Sequence, residues 1–516
     1  MTATAHRIPV DPVGDRSSTS HSSSREARPW NRTRPATGRT DGQSDRCEGR
    51  KEKTMKSNRT LRIVAAVVVA SLLAVAASVS SAAPTKSQKT VTIKVTSLIP
   101  GSTSAAFTMW NTRAKQFMKK NPNIKVVGVP FEWKQSTFGA QLAAGTLPYV
   151  IPVPFTDART LGANKQIADL TALAKKLTYF KKFNPPVIAE GMVGKKVVAI
   201  PTAAYAQALH YNRTLFKQAG LNPNKPPTTW DGIRKAAKQI AAKTGKPGYV
   251  EMAASGGTGG WILTTVVYAL GGRLETGHGT KAKATIAGNK YVINALHRLK
   301  TMRWTDNSMG SNFNHDWGTI NQAFAGGQVG MYISGSDVYT SLVQGSNMPA
   351  SIYGIAPIPT ASNKTAVNMG GGTMVAVPKR NMNAAKLAAC MKWINFFYEQ
   401  PLVTKAAAIV NAKALVADKQ PVGVPTFPVF NKKQFDLANS WIKPYFNVPR
   451  SQMKPFLTGI FKKKLAPEPA WSTQSVYASL SPVVQAVLTD KNANITSLLQ
   501  TAQKAAQTAI NHPPVS

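Results

Sequence analysis

From Thr90 onward short apolar segments alternate with amphipathic ones, and this alternation restricts the fold more than any other feature of the chain. Thr90–Leu98 reads as a strand ended by Pro100-Gly101-Ser102. A helix follows, because Phe107, Trp110, Ala114, Phe117 and Met118 share one face, and Asn121-Pro122-Asn123 stops it. Lys125–Pro130 is the next strand, Ser136–Ala144 a short helix and Tyr149–Val153 a third strand. Strand–helix–strand units at this spacing predict an α/β fold of mostly parallel sheets flanked by helices. Parallel sheets carry ligands in loops at the carboxyl ends of their strands, here Ile99–Ser104, Phe131–Thr137 and Pro154–Thr160. The pattern resumes with strands at Lys196–Ile200 and Gln207–Tyr211 and helices at Arg213–Ala219 and Trp230–Thr244. Pro226-Pro227-Thr228-Thr229 is the start signal of the second helix. Further helices fit Trp261–Leu270, Lys290–Lys300, Trp317–Ala325 and Ala384–Tyr398, and beyond about residue 428 the chain reads as helical throughout.

The amino-terminal part reads differently. Residues 1–54 are rich in Ser, Arg, Thr and Pro, as in a disordered segment or an extension upstream of a start at Met55. Lys56, Arg59 and Arg62 then precede an apolar run from Ile63 to Val79 and the small residues Ser80-Ser81-Ala82-Ala83. That order is a secretory signal over residues 55–82, cut after Ala82, with an uncleaved membrane anchor as the alternative. The exported chain then keeps a single cysteine, Cys390, which excludes an internal disulfide, and no cysteine ends the apolar run to take a lipid. Cys390 shares a helix face with Leu387, Met391 and Ile394, a core stripe without a redox role.

Motifs for catalysis are missing. The sequence has no phosphate-binding G-x-x-x-x-G-K-[ST] loop, no H-E-x-x-H and no G-x-S-x-G. Gly277-His278-Gly279-Thr280-Lys281-Ala282 fits a loose dinucleotide pattern but follows no strand, so it reads as a surface loop. His210, His278, His297, His315 and His512 lack ligand spacing, so no metal or cofactor is expected. After residue 83 the chain keeps 50 of its 64 Lys and Arg but only 15 of its 22 Asp and Glu, a formal charge of +35. No local pair among those carboxylates suggests acid–base chemistry, so an enzyme is not expected. The lysines are scattered over predicted helix surfaces, not gathered with aromatics on one face, which argues against specific nucleic-acid binding.

His210-Tyr-Asn-Arg-Thr-Leu-Phe-Lys-Gln-Ala-Gly-Leu221, followed by Pro226-Pro227-Thr-Thr-Trp230-Asp231, closely resembles the "Y-N-K-x-L-F-x-x-A-G-L … P-P-x-T-W-x-E" signature of extracellular solute-binding proteins of ABC importers, in the sugar-binding group that includes maltose-binding protein. Lys196-Val-Val-Ala-Ile-Pro201 is similar to that family's first domain-crossing strand and Gly370-Gly-Gly-Thr-Met-Val-Ala-Val-Pro378 to its second. Ala323–Met331 resembles its helix-to-strand turn, and Ala384–Gln400 a family helix. The resemblance implies a two-lobed periplasmic-binding-protein fold of type II, with residues 84–203 and 366–412 in lobe one and 208–360 and 413–516 in lobe two. It also implies capture of a di- or oligosaccharide between the lobes by hinge closure, delivery to the transmembrane subunits of a permease, and action as a monomer at the outer face of the cell membrane or in the periplasm.

The same resemblance marks candidate ligand contacts, each with a plainer reading. Trp261, after Gly256-Gly257-Thr258-Gly259-Gly260, falls where the family stacks an aromatic on the solute, or it is the first core residue of a helix. The glycines would admit solute to free helix N–H groups. Asp157 falls where the family often has a ligand carboxylate, or it caps a helix; its neighbour Arg159 is a contact or is solvated. Asp337 is a cleft contact or a cap, with Ser336 also able to cap. Tyr205 lies at the first crossing, and Trp133 after a strand end is a cleft wall or packing. Gly371, Gly372 and Thr373 can offer backbone and hydroxyl contacts from the second crossing. Where the family has Pro-Asp before its third strand, this chain has Pro148-Tyr149, which bears on packing more than on binding. The competing reading is a secreted binder of an anionic solute or of a polyanionic envelope glycan, prompted by the charge.

Overall fold

The computed structural model describes residues 90–512 apart from Gly101, Thr103, Ser255, residues 278–280, Asn381 and Ala470. The signal sequence, its upstream extension and most of the glycine loop around His278 lie outside the described residues.

Strands Val91–Ser97 and Ile124–Pro130 pair in parallel around the Ser104–Lys120 helix, as the alternation requires. Phe117 and Ala114 of that helix are buried, Trp110 and Met118 are half-buried, and Phe107 is exposed. Phe107 therefore departs from the expected stripe, while Arg113 is drawn in and donates to the carbonyls of Phe396 and Phe397. Val95 bridges in parallel to Val150, which leads into the strand Ile151–Pro154. Tyr149, which replaces the family's Asp, lies under Arg380 and Lys386 at 4.9 and 4.8 Å from its ring centre. An aromatic–cation contact thus takes up packing at that position.

Lys196–Ile200 and Gln207–Tyr211 were expected as two strands. They belong largely to one strand of 14 residues, Ala199–Asn212, which ties the lobes together. Its first half pairs antiparallel with the second crossing strand, Asn368–Ala376, from Ala199↔Ala376 to Ala206↔Gly370. Its second half pairs antiparallel with Met331–Gly335 and Tyr353–Pro357. The sheets are therefore mixed and not mostly parallel, because the crossing strand and the strands it meets run in opposite directions. The sequence hides this continuity, since Thr202-Ala203-Ala204-Tyr205 breaks apolar alternation and pairing with partners distant in sequence, such as Gly370 opposite Ala206, holds it extended.

Helix expectations from Arg213 to Ala325 agree closely. Trp230–Thr244 has Thr229 as its cap, whose Oγ1 accepts from the Gly232 N–H at 2.9 Å, and Gly245 in the left-handed conformation at its end. The carboxyl-terminal part is not wholly helical: a short strand, Leu465–Pro467, pairs in parallel with Asn368–Gly370. The Thr473–Thr489 helix then lies along the Thr258–Leu270 helix. That contact reassigns the glycines before Trp261. A methyl group on Gly260 would sit 2.1 Å from the Tyr477 carbonyl oxygen, and the Gly260 N–H donates to Ser481 Oγ at 3.2 Å. Gly260 thus admits a neighbouring helix, and its N–H is taken by that helix and not left for solute. Gly260→Ala is expected to cost about 1–3 kcal/mol through overpacking. Gly259→Ala, with its nearest neighbour at 3.4 Å, is expected to cost little. Equal melting temperatures for the two variants would contradict this account.

Candidate functional site

The first crossing strand changes sheets between Ala206, paired with Gly370, and Gln207, paired with Gly335. Tyr205 sits at that change. A methyl group on Gly371 would lie 2.4 Å from the Tyr205 hydroxyl and 3.2 Å from Glu468 Oε2. A methyl group on Gly335 would meet Asp337 Oδ1 at 2.7 Å and the Tyr205 ring at 3.1 Å. Glycine at both positions thus lets one tyrosine ring bridge the strands of the two lobes.

Trp261 stands edge-on to Tyr205, with ring centres 6.3 Å apart and planes at 90°. It is only 6% exposed, and its indole N–H hydrogen-bonds Glu468. With its amide oriented to satisfy both neighbours, Gln207 also accepts from Trp261 Nε1 at 3.2 Å and donates to the Ser334 carbonyl. Tyr477 donates to Glu468 Oε1 at 3.3 Å. Trp261 is therefore a buried wall that orients a carboxyl group.

Asp157 is half-buried in the first turn of the Phe155–Ala163 helix. Pro154 occupies the cap position and no side chain caps this helix, so the capping reading of Asp157 does not hold. Thr156 Oγ1 donates to Asp157 Oδ2 at 3.4 Å, and Trp133, packed 5.0 Å from the Phe138 ring centre, also hydrogen-bonds the carboxyl. Ser336 Oγ accepts from the Ala206 N–H at 3.3 Å, a bond to the crossing strand and not a cap. Arg159 is not merely solvated: its Nη2 lies 2.9 Å from Glu190 Oε2. Phe155, Thr156, Arg159, Glu190, Glu468 and Pro469 line a narrow crevice. The fold thus brings together Trp133 with Asp157, Tyr205 with Trp261, Asp337 and Gly371, and Arg159 with two glutamates. Gly372 and Thr373 serve strand packing: a methyl on Gly372 would strike the Ala203 carbonyl, and the Thr373 carbonyl accepts from Thr202 Oγ1 at 3.1 Å.

Sequence reasoning passed over Glu190, Glu468 and Tyr477. The only local signal is Pro467-Glu468-Pro469, which interrupts a segment otherwise read as helix.

Carboxyl groups in this chain are scarce, yet four of them meet here with raised pKa values. Burial pushes Glu468 up to about 7, helped by Asp157 and Glu190 and opposed by hydrogen bonds from Trp261 and Tyr477. Burial likewise pushes Glu190 up to about 7 against the pull of Arg159, and Asp157 and Asp337 up to about 6. Away from the crossing, burial raises Glu251 to about 8, Glu275 to about 7 and Glu399 well above the usual range. Each of these acids binds its proton more tightly folded than unfolded. Their stabilising contribution is complete below the ordinary Glu value of 4.5 and is lost as pH rises through about 8. Buried His210, lowered to about 4, works in the opposite sense, but only below its ordinary value of 6.5. The melting temperature is therefore expected to fall by several degrees between pH 6.5 and 8.5, and Glu251→Gln is expected to flatten that decline. A melting temperature that rises over this interval would contradict the assignment.

The paired crossing strands thus gather aromatics and carboxyls at one junction. The profile of bacterial extracellular solute-binding proteins matches residues 112–413, and the chain belongs to that family. Over 157 residues it is 27% identical to the sn-glycerol-3-phosphate-binding periplasmic protein UgpB of Salmonella typhimurium; the match covers 29% of this chain and 35% of that protein. The chain thus matches about a third of the length of these curated relatives. Among solved structures it is similar to the cyclic alpha-maltosyl-1,6-maltose binding protein of Arthrobacter globiformis, with a TM-score of 0.62, 19% identity and coverage of 82% of this chain and 99% of that one. It is also similar to UgpB of Mycobacterium tuberculosis in complex with glycerophosphocholine, with a TM-score of 0.60, 15% identity and coverage of 81% and 98%. These likenesses establish the two-lobed fold. Among the described residues no helix is long and apolar enough to cross a membrane.

Proposed function

We propose that this chain is the capture component of an ABC importer, holding a di- or oligosaccharide between its lobes by hinge closure and passing it to the permease's transmembrane subunits. It acts as an exported monomer, freed of residues up to Ala82, and performs no covalent chemistry. The observation that carries the reading is the junction at Tyr205, where aromatic rings and carboxyls from both lobes and from the carboxyl-terminal segment converge. Aromatic surfaces suit the C–H faces of pyranoses, and carboxyl groups pair with adjacent hydroxyls. A solute touching groups of both lobes binds the closed form better than the open one, and that difference drives closure.

An anionic solute is the second reading, since the curated relatives are named for a phosphate ester and Arg159 lines the crevice. Glu190 already pairs with Arg159, which leaves the guanidinium less free for a phosphate.

Thermal melting against a carbohydrate panel tests the proposal, because a bound solute raises stability by mass action. Asp157→Ala is expected to weaken sugar binding by about 1–3 kcal/mol while the protein stays folded. Undiminished affinity in the folded variant would remove Asp157 from the site.

The formal charge of +35 after residue 83 supports a further role for the surface, attraction to an anionic cell envelope in place of a lipid anchor. Envelope association is expected to fall steeply with added salt while sugar affinity barely moves. Failure to associate with anionic vesicles or wall fragments at low salt would contradict it.

A further inference from the structure

We propose that a cavity between the Trp230–Thr244, Thr258–Leu270 and Lys290–Lys300 helices is a buried binding site for one ordered water, which joins polar groups carried by different elements. The proposal stands apart from the solute reading, since the cavity shares no lining residue with the Tyr205 junction. Trp230 opens the first of these helices, fixed there by the Thr229 cap, and Arg298 lies in the last turn of the third. Glu251 arrives from the stretch after Gly248, which the Val250 N–H ties to the Met331 carbonyl at 3.0 Å. All three line the cavity, with aliphatic walls that include Leu263 and Ala295.

Trp230 is 9% exposed and Glu251 2%. Trp230 Nε1, Glu251 Oε1 and Arg298 Nε are each buried and hydrogen-bond no protein group. Neither charged side chain is free to turn elsewhere. Glu251 Oε2 accepts from the Tyr249 hydroxyl at 2.8 Å, and Arg298 Nη1 lies 2.8 Å from Asp231 Oδ1. A buried donor or acceptor left unmet is costly, and three of them around one cavity call for a common partner.

Size and chemistry select that partner. The cavity offers about 20 Å³ to the centre of a water-sized molecule. One water needs about 10–15 Å³ by that measure, so there is room for one and none for a sugar. Water accepts from indole and guanidinium N–H groups and donates to a carboxylate, and it can reverse that last bond when the carboxyl is protonated. A cation of the same size would face the Arg298 guanidinium, and a halide would face the carboxylate oxygen. An apolar atom would leave all three groups unmet.

A crystal structure of the chain from residue 83 onward, at a resolution that shows ordered waters, tests the proposal, with further crystals pressurised with xenon or soaked in bromide. The expected result is one water peak within about 3.2 Å of Glu251 Oε1 and of Trp230 Nε1 or Arg298 Nε. Xenon and bromide are expected to leave that peak in place. A dry cavity that takes xenon would overturn the proposal, because dry cavities are apolar ones. An anomalous bromide signal in place of the water would overturn it too, as would side chains closed over the space with no peak at all. Sugar binding, present or absent, does not bear on any of these outcomes.

Discussion

The antiparallel pairing of Ala199–Asn212 with Asn368–Ala376 is the constraint on which the rest of the structure depends. It ties together stretches of chain more than 150 residues apart and places their common register at the joint between the lobes. Everything near the joint is arranged around that register. Gly371 lies opposite Tyr205, Gly370 opposite Ala206, and the short strand Leu465–Pro467 extends the same sheet to deliver Glu468. A bend in these strands would move both lobes against each other, yet the side chains of the joint belong to rigid strands and to the helices packed on them.

Charge is distributed against this frame in an uneven way. Basic residues far outnumber acidic ones, and of the few carboxyls Glu190, Glu251, Asp306 and Glu399 are buried. Glu251 is buried with one oxygen unpartnered and the other accepting from the Tyr249 hydroxyl at 2.8 Å, and both carboxyl oxygens of Glu399 are buried without a partner. Acids in such places stay protonated near neutral pH, so they contribute no compensating negative charge. The surplus of positive charge is thus larger in the folded protein than composition alone implies. The fold tolerates these groups because each is neutral where it is buried.

Much of the fold was legible in the sequence where local rules operate. Thr229 announces the Trp230–Thr244 helix through a hydroxyl cap, and the face carrying Cys390, Met391 and Ile394 is buried as its spacing requires. Legibility ended where distant chain decides. The 14-residue crossing strand was divided in two because its middle lacks alternation, and the helix at Thr258–Leu270 begins three residues before Trp261 because the Thr473–Thr489 helix packs against its glycines. Around the candidate site, Asp157, Tyr205, Trp261 and Asp337 could be marked from a family resemblance, but Glu468 could not. It arrives from a segment without periodicity, more than 200 residues from Trp261 in sequence, and only the sheet register brings it to the joint.

The central claim is that a solute is held at this joint by groups from both lobes. A crystal structure of the chain from residue 83 onward with its tightest-binding sugar tests that claim most directly. The account predicts solute density in contact with Asp157 or Arg159 on one side and with Trp261, Asp337 or Glu468 on the other. Density confined to the surface of one lobe, with the Tyr205 junction untouched, would contradict it.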